Sequence, residues 1–226
     1  MKLINKSKIL GMLTLLIGAS ILFTPLQSCE DDEPNCPETE CDTCNHTGLY
    51  KPNVYIYPLE AIELAVTINF PQGGRVTESI PEYGNGWNVT VDTSSLIDNK
   101  YHYLYYESKQ PDVWQNKYGW VINQENLTAF FDENMRAYGF NEREIKDFIE
   151  YWIPRLKEYP YYSICPQTNG LIETVVELEF SLNPENILRL YYDIEGLNNK
   201  DNKLLEPQID SFKREGYYIT EWGVII

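Results

Sequence analysis

From position 62 to 70 the chain alternates without a break. Ile62, Leu64, Val66, Ile68 and Phe70 are large and apolar, while Glu63, Ala65, Thr67 and Asn69 between them are small or polar. A period of two held this long fits a β-strand with one buried face and excludes a helix, whose apolar stripe recurs every three or four residues. Weaker versions of the signal follow. Lys51 to Pro58 is a short strand bracketed by prolines, and Asn85-Gly86 is a tight-turn pair leading into Trp87, Val89 and Val91. Segments 101–107, 119–122, 173–180, 187–194 and 216–226 complete the predicted strands. In 173–180, Thr174, Val176, Leu178 and Phe180 are expected inside, with Glu177 and Glu179 facing water.

Two segments break this rhythm with helical spacing. Leu127, Phe130, Phe131, Met135 and Tyr138 form one apolar face, with Asn123 as the start and Gly139 as the stop. In the next, Asn141 and Glu144 make a capping-box start, and Ile145, Phe148, Ile149, Trp152 and Leu156 line the apolar side. Pro154 should end or kink that helix, because its ring clashes with the carbonyl of Glu150. Strands before and after a helical pair predict an α+β fold: a mainly antiparallel β-sheet or sandwich with inserted helices at about 124–138 and 141–157.

Ahead of the domain, Lys2, Lys6 and Lys8 precede an apolar run from Ile9 to Leu22, which is too short to span ~30 Å of hydrocarbon. Leu26-Gln27-Ser28-Cys29 resembles the lipobox of bacterial lipoproteins. That resemblance makes residues 1–28 a signal peptide and Cys29 the acylated N-terminus. The run Glu30-Asp31-Asp32-Glu33 resembles the export signal of surface lipoproteins, which places the protein on the outer membrane, facing the cell exterior and held there by its lipid. Two or more acyl chains suffice for stable anchoring. Residues 29–47 are acidic and poor in large apolar side chains, and read as a tether; 48–226 reads as one domain.

The sequence carries a formal charge of −16. Without residues 1–28, which hold three lysines and no acid, 15 basic residues face 34 acidic ones and the charge becomes −19. Such a surface repels a phosphate backbone, so nucleic acid is excluded as a partner. With Cys29 lipidated, an even four cysteines remain: Cys36, Cys41, Cys44 and Cys165. In an oxidising compartment these are expected as disulfides, with free or mixed thiols the next alternative and a metal site the weakest.

Lys51-Pro-Asn-Val-Tyr-Ile-Tyr-Pro58 resembles the opening of a bacterial and fungal extracellular domain family led by Lys-Pro-x-Ile-Tyr-Leu-Tyr-Pro. Tyr83-Gly-Asn-Gly-Trp87, Tyr103-Leu-Tyr-Tyr-Glu107, the helix from Asn141 leading to Pro160-Tyr-Tyr162, and Glu221-Trp-Gly223 agree with it in order. Family members often end Glu-Trp-Gly-Gly, whereas Val224 follows Gly223 here. The resemblance implies one exported domain and supplies no catalytic residues.

No Gly-x-Gly-x-x-Gly, Walker loop, His-Glu-x-x-His or Gly-x-Ser-x-Gly occurs, and no cofactor or metal is expected. Of the two histidines, His46 sits in the tether and His102 reads as a strand-surface residue without partners. What remains is carboxylates beside aromatics. Sugar recognition uses flat rings to stack on and carboxylates that accept from hydroxyls. The candidate ligand-binding or catalytic residues are therefore Tyr105, Glu107, Glu221, Trp222 and Trp87. They point to a non-catalytic module for a glycan or a surface protein, with a carboxylate-dependent carbohydrate hydrolase as the alternative. Glu221 and Trp222, being strand neighbours, are expected on opposite faces, one in the core and one towards solvent or a groove. A buried Glu221 would need a cation, for which Arg189 and Arg214 are the candidates.

Overall fold

The order of elements is β1 (His46–Tyr57), β2 (Ile62–Asn69), β3 (Arg75–Ile80), β4 (Trp87–Val91), β5 (Leu104–Pro111), β6 (Trp120–Asn123), α1 (Leu127–Tyr138), α2 (Glu142–Trp152), β7 (Tyr161–Thr168), α3 (Asn169–Val175), β8 (Glu177–Phe180), β9 (Asn186–Leu197) and β10 (Tyr218–Ile225). The computed structural model describes residues 46–200 and 203–226. Cys29, the acidic run and Cys36, Cys41 and Cys44 lie outside the described residues.

The strands form a seven-stranded sheet, β3-β5-β1-β10-β9-β7-β6, and a three-stranded sheet, β4-β2-β8. Every pairing is antiparallel except that of β10 with β9. The fold is thus α+β, with the adjacent pair α1–α2 inserted between strands of the large sheet.

The large sheet is the middle of three layers. On one face Val54, Ile56, Leu104, Tyr106, Tyr191, Ile219 and Ile225 share a core with Leu64, Val66, Trp87, Val89 and Val91 of the small sheet. On the other, Tyr55, Leu190, Tyr192, Trp222 and Val224 share a second core with Phe131 and Met135 of α1 and with Ile145, Phe148 and Trp152 of α2. A strand covered on both faces keeps no polar alternation, and in β10 every residue from Ile219 to Ile225 is buried.

The helices follow their local signals. Asn123 accepts from the backbone of Glu125 and starts a single 3-10 turn that runs into α1, and Gly139, at φ 111°, ends α1 in the left-handed region. At α2 the capping box is complete: the Asn141 side chain accepts from the backbone of Arg143 and Glu144, and Glu144 accepts from the backbone of Asn141. The helix stops at Trp152, two residues before Pro154.

Some sequence expectations change. Strands β3 and β7 were not marked by alternation, for opposite reasons. The edge strand β3 is mostly exposed, while β7 is buried almost throughout. Pro166 is tolerated in β7 because β6 pairs only with Tyr161 to Ile164, so no strand requires its missing N–H there, and the Gln115 side chain donates to its carbonyl at 2.9 Å. The predicted strand 173–180 divides, since Ile172 and Val175 bury at helical spacing in α3 and only Glu177–Phe180 are extended. His46 and Thr47, expected in the tether, already pair with Pro111 and Gln110. Cys165 is a free, buried thiol. Burial, with Asp193 and Glu195 nearby, pushes it up to about 11. Its expected bridging partners Cys36, Cys41 and Cys44 lie outside the described residues.

Candidate ligand-binding site

The first strand does not run straight. Its register with both neighbours shifts between residues 49–50 and Asn53, and at this bulge Lys51 adopts φ 55°. A left-handed conformation is costly for a residue with a Cβ, on the order of 1–3 kcal/mol, and a bulge re-aims side chains. Here it aims Lys51 into aromatic rings. Its Nζ lies 4.1 Å from the centroid of Tyr105, 5.0 Å from Tyr103 and 5.4 Å from Tyr151. The Arg155 guanidinium sits 3.7 Å from the Tyr151 ring as well. Each such contact contributes about 0.5–2 kcal/mol, more as it is desolvated.

Three elements build this cluster. Strand β1 supplies Lys51, and β5 with the residue before it supplies Tyr105, Glu107 and Tyr103. Helix α2 supplies Asp147 and Tyr151, four residues apart and therefore on one side of the helix. Among the described residues, no carboxylate is ion-paired with Lys51. Burial lowers its pKa, and the nearby carboxylates of Asp147, Glu107 and Glu78 act the other way without cancelling the effect. Glu78 stands directly across from Glu107 in the β3–β5 register. Tyr105 is held protonated by burial and by its hydrogen bond to Glu107. Tyr55 donates to Asp147 at 2.9 Å. Beneath lies Asn53, fully buried, its amide set against the Tyr55 and Tyr103 phenols, whose pKa values it lowers, without a hydrogen bond of full geometry.

The other expected site residues are elsewhere. Trp87 is 2% exposed in the sandwich core, its indole N–H donating to the Pro81 carbonyl at 2.8 Å. Glu221 and Trp222 do lie on opposite faces, yet neither meets solvent, because β10 is central and both its faces are covered. Trp222 packs edge-on against Phe148. Glu221 accepts from Arg189 Nε at 2.6 Å, from Tyr106 at 2.8 Å and from Tyr191 at 3.0 Å. Arg189 donates further to the Val176 carbonyl at 2.6 Å. Burial opposes the Arg189 charge, and Glu221 more than offsets it, holding the guanidinium above its ordinary value. This is a saturated structural pair, with no lone pair turned towards a ligand.

Arg214, the other candidate cation, belongs to Glu144. That buried carboxylate takes both guanidinium nitrogens at 2.9 and 3.0 Å, together with Tyr57 and Thr220 hydroxyls at 2.6 Å each. His102 is exposed in a bend before β5. Among the described residues, no cluster of three or more metal-ligating side chains forms, and no helix is long and apolar enough to cross a membrane. Shallow hollows on the outer side of β2 and β4 are lined by no aromatic ring.

Of the five expected residues, then, Tyr105 and Glu107 share one partly open site, and Lys51, Asn53, Tyr103, Asp147 and Tyr151 join them. The sequence did carry a trace of this: Tyr103, Tyr105 and Glu107 alternate, and Asp147 and Tyr151 are one helical turn apart. Nothing in the sequence signalled the bulge that swings Lys51 over them. No family model, no curated protein and no solved structure matches this chain.

Proposed function

We propose that this is a non-catalytic, carbohydrate-binding module displayed on the cell surface by a lipid on Cys29. The observation that carries the reading is the convergence of Tyr103, Tyr105 and Tyr151 with Lys51, Glu107 and Asp147 at a partly exposed margin of the helix layer. Phenols, carboxylates and an amine in one place offer hydrogen bonds of both senses to sugar hydroxyls, and ring edges offer apolar contact. Burial of Glu221 on the opposite face of the sheet removes the Glu107–Glu221 pair as a hydrolytic couple. One feature favours a second reading. Glu78 and Glu107 are cross-strand partners, so two carboxylates rise side by side from one face of the sheet, and a retaining hydrolase uses two carboxyls about 5–5.5 Å apart.

A glycan-array screen of the purified protein tests both. Binding of an oligosaccharide without cleavage, weakened at least tenfold by Glu107→Gln, supports the module. Appearance of shortened products that Glu78→Gln abolishes would replace it with the hydrolase. Absence of any glycan bound would remove both.

A further inference from the structure

We propose that Lys51 is a nucleophilic amine that captures carbonyl compounds reversibly as an imine, the open-chain aldehyde of a reducing sugar being the class of ligand it takes. The proposal concerns the site of the glycan-binding reading but does not need a glycan to bind there as a ring.

Three observations meet at this residue. Its Nζ is half-buried and forms no ion pair among the described residues, so no carboxylate locks it as an ammonium, while the three tyrosine rings beneath it favour the charged form. The backbone that presents it is left-handed at a bulge, the kind of conformation a fold retains where a side chain must be aimed. Glu107 and Asp147 stand close enough to influence its protonation, and burial favours its neutral form.

The step balances without an oxidant or a metal. The neutral amine forms the C–N bond to the carbonyl carbon as the C=O electron pair moves to oxygen. The nitrogen gives one proton to a neighbouring carboxylate, Glu107 or Asp147, and the oxygen gains one from solvent. The carbinolamine C–O bond then breaks. The nitrogen lone pair closes C=N, and the hydroxyl leaves as water with the proton the carboxylate received. The remaining iminium proton equilibrates with solvent.

The test is reductive trapping. The purified protein is incubated at pH 7 with glyceraldehyde and cyanoborohydride, and each lysine is followed by peptide mass mapping. Lys51 should be alkylated at least tenfold faster than the exposed Lys109, Lys117 and Lys157. The advantage should shrink as pH rises towards 10, where the exposed amines also deprotonate. Reaction at Lys51 no faster than at the exposed lysines would overturn the proposal. A methyl glycoside, which has no free carbonyl, separates the two readings. Trapping at Lys51 without glycoside binding upholds carbonyl capture and removes the glycan module. Glycoside binding with a slow Lys51 does the reverse.

Discussion

Glu221 and Glu107 are both glutamates beside an aromatic residue on a β-strand, and their neighbours give them opposite fates. Around Glu221, every oxygen is taken by Arg189, Tyr106 or Tyr191, out of reach of water. Removing the charge of one member of such a pair leaves the other buried and uncompensated, at about 3–5 kcal/mol. Glu221→Gln should therefore lower the melting temperature sharply, with Arg189 left as the unpaired cation. A melt within a degree or two of the wild type would contradict the ion-pair account. Trp222→Ala opens space among Phe148, Tyr192 and Leu190 in the second core and should cost a similar ~3–5 kcal/mol, read by chemical denaturation. At this scale the sequence was partly legible. Alternation put Glu221 on one face with Ile219, and charge balance named Arg189 as a candidate partner. That Trp222 would be equally buried depended on a helix pair over 70 residues earlier in the chain, which no local pattern encodes.

Among the elements, α2 has the most complete local specification. Asn141, Glu144, the apolar stripe and Pro154 set its start, its buried face and its end. Its capping glutamate carries more than a cap, because Glu144 also gathers Arg214, Tyr57 and Thr220 and so ties the helix to β1 and β10. Asn141→Ala should cost about 0.5–2 kcal/mol, the ordinary range for a lost N-cap. Glu144→Gln should cost distinctly more, since the buried end of Arg214 loses its counter-charge. Equal losses for the two variants, measured by urea denaturation, would show that Glu144 acts only as a cap.

Strand β9 holds a group of opposite character. Asp193 is raised from its ordinary 3.8 to about 6 by burial, reinforced by Asp112 and Glu195. Below 3.8 it is protonated in folded and unfolded chains alike. Between there and about 6 only the folded chain keeps the proton, so this group's contribution to stability is lost as pH rises through that window. Asp193→Asn should accordingly raise the melting temperature at pH 7.5 and give no gain at pH 4. The same gain at both pH values would refute the assignment. Strands β3 and β7 were the elements least legible in the sequence. One lies on an exposed edge and the other is buried on both faces, and each condition erases the period of two.

For the whole molecule, the decisive fact is that one sheet serves two cores, so most rings and the Glu221 carboxylate are consumed by structure. The high count of 18 Tyr and 5 Trp, open to two readings in the sequence, mostly resolves into packing. What is left over lies where the helix layer ends, at Lys51, Tyr103, Glu107 and Tyr151. The lipid-anchored display proposed for this domain makes its own forecast. A fatty-acid analogue should label the protein in cells, and Cys29→Ala should abolish the label; labelling that survives the substitution would defeat it.

The central claim is that Glu107 serves a ligand while Glu221 serves the fold. A binding titration of the Glu107→Gln protein with an oligosaccharide identified on the array, run on material whose melting temperature matches the wild type, tests it most directly. We predict an affinity at least tenfold weaker than that of the wild type. An unchanged affinity on a normally folded Glu107→Gln protein would contradict the account.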